Sequence, residues 1–147
     1  MTVISDGRAT AEWNEFPSQM VDGRPVVIRS RIGDPAVREF AETNFMARAR
    51  CVLPRDQVDP DGMPISSASM DEWEGKLLVE IDRINAETYP IAVVTGGGGR
   101  DLFFTAADGD GLVAAINNVE GDFTFELQLS QVDGPREPLL NSLTPPQ

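Results

Sequence analysis

The sequence predicts an α+β fold. Over residues 45–130 it runs strand, helix, strand, strand, helix, strand. This split βαβ order makes a four-stranded antiparallel sheet with both helices on one face. An N-terminal β-hairpin over 12–32 adds two strands, and extension of the sheet edge is the placement expected for them. Three observations carry the reading. Residues 45–53 alternate with a period of two, residues 70–87 bear apolar side chains at helical spacing behind a capping signal, and two apolar runs flank the glycines at 96–99. The 147 residues suit one domain, expected to divide into a flexible N-terminus at 1–9, the α+β domain at 10–132 and a Pro-rich tail at 133–147.

In the hairpin, Trp13 lies on the first strand, which Pro17 weakens. Asp22-Gly23 is the turn, because glycine takes a positive φ cheaply. The second strand, 24–32, sets Val26, Ile28 and Ile32 on one face and Val27, Arg29 and Arg31 on the other. Gly33-Asp34-Pro35 stops it, and Asp34 is positioned to cap a short helix with Pro35 at its first turn, running to about Thr43. Along 45–53, Phe45, Ala47, Ala49, Cys51 and Leu53 face one way and Met46, Arg48, Arg50 and Val52 the other.

A loop with Asp59-Pro-Asp-Gly62 as its turn leads to Ser69-Met-Asp-Glu72, which matches the capping box. The helix from 70 to about 87 stacks Met70, Trp73, Leu77, Ile81 and Ile84 on one stripe. Residues 89–95 read as a central strand, which Gly96-Gly-Gly-Gly99 turns back into 100–106. Asp108-Gly-Asp-Gly111 opens the second helix, with Leu112, Ala115, Ile116 and Val119 inward and Gly121 closing it in the left-handed cap position. The last strand, 122–130, buries Phe123, Phe125, Leu127 and Leu129. The tail beyond Val132 has no periodic pattern and is expected to be mobile, with Leu139 and Leu140 the residues suited to dock.

Composition removes several function classes. The chain has 24 acidic and 12 basic residues, no histidine, and a formal charge of -12. Without histidine there is no Ser-His-Asp triad, no Cys-His dyad and no His-ligated metal. One cysteine makes no internal disulfide and no Cys-rich metal site, and Cys51 fits a buried hydrophobe. An acidic surface repels phosphates, so nucleic acid is a poor partner. The first residues lack a signal-peptide core, and no stretch reaches the roughly 18 apolar residues of a membrane helix. A cytoplasmic protein is expected.

Few motifs carry chemistry. The glycine run precedes a strand rather than a helix and lacks the Lys-Ser/Thr of a phosphate loop, so it reads as a hairpin loop. Asp108-Gly-Asp-Gly111 would make an EF-hand with Ala106 and Asn117 at its essential ends, so helix capping is the better reading. No set of carboxylates stands out for acid–base work, and Tyr89 suits packing. Arg29 and Arg31 on one strand and Arg48 and Arg50 on another form the notable cationic set. Two readings stand for them: pairing with acids of the same chain, or a patch binding an anion or a partner.

Trp13, Asp22-Gly-Arg-Pro-Val-Val-Ile28, Asp61-Gly-Met-Pro64, Ala92-Val-Val-Thr-Gly96 and Gly99-Arg-Asp-Leu-Phe-Phe104 together carry a resemblance. Over roughly 13–133 the chain resembles a bacterial family of domains of unknown function, number six hundred and ninety-five in the DUF series. The Gly-Met-Pro step before the long helix is also similar to the ribonuclease E inhibitor B group, from which the N-terminal hairpin departs. The resemblance implies a ferredoxin-like α+β fold and a cytoplasmic, non-catalytic role, and it carries over no catalytic residue.

The expectation is therefore a non-enzymatic protein-interaction or regulatory domain, inhibitor-like or immunity-like, without cofactor. Its helical acids Asp71, Glu74, Glu80 and Asp82 would face a basic protein partner. A homodimer through an exposed sheet edge is a further expectation. The alternative is a small-anion or RNA-end module built on Arg29, Arg31, Arg48 and Arg50. A carboxylate-based hydrolase ranks last.

Overall fold

A computed structural model describes residues 13–15, 19–21, 23–83 and 87–144. Pro17, Asp22, Ile84 and the 1–9 segment lie outside the described residues. Among the described residues there are four α-helices and seven strands, and the fold is α+β with antiparallel pairing throughout. The strands are β1 (Asn14–Glu15), β2 (Gln19–Val21), β3 (Arg24–Ser30), β4 (Phe45–Val52), β5 (Thr88–Gly96), β6 (Gly99–Ala106) and β7 (Glu126–Gln131). Their order is β1-β3-β5-β6-β4-β7, with β2 also on β3. Helices α1 (Pro35–Thr43), α2 (Ala68–Arg83), α3 (Gly109–Asn118) and α4 (Glu137–Ser142) complete the chain.

Period-two alternation sorts the strand residues into two cores. Ala47, Ala49, Cys51, Leu102 and Phe104 pack on one side against Met70, Trp73, Leu77 and Ile81 of α2 and Leu112, Ala115 and Ile116 of α3. The helical stripe read from sequence is thus the stripe that is buried. Phe123, Phe125, Leu127 and Leu129 pack half-buried at the margin of this core. Trp73 meets Phe125 edge-on at 6.0 Å.

The second face is covered too. Ile28, Met46, Ala92 and Phe103 pack against Val37 and Ala41 of α1 and Leu140 of α4. The sheet therefore carries helices on both faces. Asp34 caps α1, accepting from the amides of Ala36 and Val37, with proline in the first turn. The tail docks through Leu140 as expected, with Leu139 packed beside it, but it departs from the expected mobile stretch: residues Glu137–Ser142 are helical, and Leu143 is buried with Leu140. Two leucines three positions apart meet the core together once a helix forms, a pattern too short to stand out as periodicity.

Two cap assignments also change. Helix α2 starts at Ala68 rather than Met70, and the Asp71 amide donates to the Ser67 carbonyl. Ser69 is inside the helix, where its hydroxyl accepts from the Thr124 amide at 3.2 Å. Helix α3 is capped by Asp108, which accepts from the Gly111 amide, but it ends at Val119 in an extended conformation. Gly121 therefore closes nothing; its φ of 157° lies outside the left-handed helical region.

The glycine run makes a tight two-residue turn at Gly97-Gly98, with φ of 62° and 92°. It is packed rather than loose. The Gly98 amide donates to the Gly62 carbonyl at 2.9 Å, and the Leu53 amide donates to the Gly98 carbonyl at 3.0 Å. A Cβ on Gly99 would stand 1.8 Å from the Cys51 carbonyl oxygen, so only glycine lets β6 lie this close to β4.

Candidate functional site

Adding β3 outside β5 extends the sheet beyond the cover of α2, and a cleft of about 430 Å³ lies in the angle between them. Glu15, Val27, Arg29, Asp71, Glu74, Val93, Thr95 and Arg100 line it. The pleat explains the gathering. Glu15 stands opposite Arg29, Arg29 opposite Val93, and Thr95 opposite Arg100, so these side chains share the α2 face of the sheet. Asp71 and Glu74 are three positions apart on α2 and project onto the same edge.

A charged network fills the cleft. Arg100, buried to 8 % exposure, donates to Asp71 at 2.8 Å and to the Thr95 hydroxyl at 3.1 Å, and its guanidinium lies 3.8 Å from Glu74. Arg29 donates to Glu74 at 3.1 Å. The Trp13 ring takes the guanidinium carbons of Arg29 and Arg31 at 4.7 and 4.4 Å from its centroid, within cation–π range. Partial burial works to raise the Asp71 pKa, but hydrogen bonds from Arg100 and Ser67 and the charges of Arg100 and Arg29 outweigh it and hold the carboxyl below its usual 3.8.

The four predicted arginines do not form one patch. β3 and β4 are separated by β5 and β6. Arg29 lies on the α2 face, whereas Arg48 and Arg50 lie on the opposite face, across from Phe103 and Asp101. Arg48 and Arg50 share Asp101, at 3.0 and 2.9 Å, and Arg50 also donates to the Gly97 carbonyl at 2.8 Å. Arg31 is buried against Trp13 and donates to the Pro90 carbonyl at 3.4 Å. Arg29, Arg48 and Arg50 pair with acids of the same chain, whereas Arg31 donates to a backbone carbonyl. The shared patch is corrected: β3 and β4 are not neighbours, and the register through β5 and β6 sets their arginines on opposite faces.

The acidic set divides as well. Asp71 and Glu74 turn to the cleft, Glu80 pairs with Arg83 at 2.9 Å, and Asp82 is exposed. Sequence reading missed Glu15, Arg100 and Thr95. The Thr95–Arg100 pair follows from the hairpin register around Gly97-Gly98, whereas the link from Arg100 to Asp71 depends on the docking of α2.

Cys51 is fully buried, and desolvation pushes its thiol up to about 12 despite the Arg100 charge, so it is inert at neutral pH. Asp59 caps its own turn, accepting from the amides of Asp61 and Met63 at 2.9 Å each. Among the described residues, no group of three or more His, Cys, Asp and Glu could hold a metal ion, and no helix is long and apolar enough to cross a membrane. Comparison with protein-family models, with curated proteins and with solved structures returns no match to this chain.

Proposed function

We propose that this chain is a non-enzymatic protein-interaction or regulatory domain whose α2 face meets a basic partner in the cytoplasm. The observation that carries the reading is the inward use of cations. Arg29 and Arg100 engage the α2 acids from the sheet side, while Glu72 and Asp82 stay exposed on the outer side of the helix. Val79 stands 51 % exposed on the same helix, beside the Glu80–Arg83 pair, and supplies an apolar contact. Lys76 is drawn away to the Glu120 carbonyl at 3.0 Å, and Glu120 and Asp122 extend the exposed acids past α3. Exposed acids on one face speed encounter with a cationic surface and select against acidic partners.

The fold reading that accompanies this proposal is ferredoxin-like, with β4-α2-β5-β6-α3-β7 as the βαββαβ unit and the N-terminal hairpin as its extension. The order β5-β6-β4-β7 within the sheet supports it. The test is retrieval of partners from host lysate by the purified chain and by its Glu72→Lys/Asp82→Lys variant, at low and at physiological salt. A basic protein held by the wild type, released by salt and lost with the variant, is the expected result. Identical retrieval by both proteins would sink the reading.

A further inference from the structure

In a chain with 24 acids and 12 bases, an arginine is expected to have found a carboxylate. Six described arginines have: Arg29, Arg38, Arg48, Arg50, Arg83 and Arg100. Arg31 and Arg136 donate to backbone carbonyls. Arg24 and Arg55 differ: both are exposed, and among the described residues neither has an ion pair or hydrogen bond through its side chain. They come from distant segments, yet both line one cleft of about 540 Å³, which shares no lining residue with the cleft of the Asp71 network.

The construction of that cleft suits an anion. Val52, Leu53, Val58 and Pro60 give it an apolar lining, and Gly62, Gly97 and Gly98 form a wall without side chains. The carbonyls of that wall would repel negative charge, but each is already engaged. Gly62 accepts from the Gly98 amide, Gly98 from the Leu53 amide, and Gly97 from Arg50, whose own charge is matched by Asp101. Asp59 is the one acid of the lining; its Oδ1 is turned to the Asp61 and Met63 amides, and the two arginines outnumber its single charge. Guanidinium groups grip carboxylate and phosphate oxygens in bidentate fashion, and a volume of this size accommodates an organic molecule.

We propose that this cleft binds a small organic anion, a carboxylate or phosphate monoester whose charged group is held by Arg24 and Arg55 and whose apolar body lies on Val52, Val58 and Pro60. The site is independent of the α2 face.

The experiment titrates the full chain with octanoate, octyl phosphate, inorganic phosphate and octyltrimethylammonium, followed by amide NMR. Octanoate and octyl phosphate should shift the Gly97 and Gly98 amides saturably. Inorganic phosphate should bind about tenfold more weakly, and an Arg24→Gln/Arg55→Gln variant should lose about tenfold or more of the affinity. Both arginines are exposed, so the variant keeps its fold, which the rest of its spectrum reports. No saturable shift at those amides, an unchanged affinity in the variant, or an equal response to octyltrimethylammonium would each overturn the proposal. Equal binding of inorganic and octyl phosphate would overturn the assignment of the apolar body.

Discussion

Asp71 and Arg100 lie 29 positions apart, and their pairing shows how a residue's chemistry is set by what packs beside it. The Asp71 carboxyl titrates below 3.8 because it accepts from Arg100 and Ser67. A depressed carboxylate contributes stability above its unfolded pKa, and that contribution is lost as pH falls through the folded value. Asp71→Asn should therefore destabilise the chain by no more than about 1 kcal/mol at pH 7, since the Asp71 side chain is 60 % exposed and water screens it. The gap to wild type should close below about pH 4, in denaturant titrations run across the acid range. A gap that stays constant with pH would mean the pair contributes through packing alone. Arg100 was passed over in sequence because it reads as one more strand cation. Its distinction is burial, which the period-two pattern assigns to a face but cannot assign to a helix edge.

At the scale of elements, local signals and long-range packing part company. Helix α1 could be read from Asp34 and Pro35, and α2 from the spacing of Met70, Trp73, Leu77 and Ile81, because caps and stripes are encoded within a few residues. Helix α4 spans one turn and a half, too short to hold itself in water, and it exists because Leu140 and Leu143 are buried against Ile28, Met46 and Phe103. Leu140→Ala should cost about 2–4 kcal/mol in equilibrium unfolding, the cost of a full core cavity. A cost below about 0.5 kcal/mol would mean that α4 rests on the body without stabilising it. The same distinction explains the arginines. Their faces were legible along each strand, but the two strands that intervene between β3 and β4 were not.

The whole molecule carries a charge of -12, and its described cations mostly point at its own carboxylates and carbonyls. The remaining acids repel one another across the surface, an energy that is largest at low ionic strength. Raising salt from about 10 mM to about 150 mM should therefore raise the melting temperature by a few degrees, even though exposed pairs such as Arg38–Glu42 weaken. A melting temperature that falls with salt would show that ion pairs outweigh self-repulsion. By itself the sequence determined the α+β class, most strand faces, the α1 cap, the α2 and α3 stripes and the exclusion of histidine chemistry. Each of these depends on composition or on neighbours within about two helical turns. Only the tertiary structure decided which strands adjoin, that helices cover both sheet faces, that Asp71 and Glu74 grip Arg100 and Arg29, and that Arg24 and Arg55 share a cleft. The reason is physical: these arrangements depend on packing between segments far apart in the chain, and no local periodicity records which segment will be the neighbour.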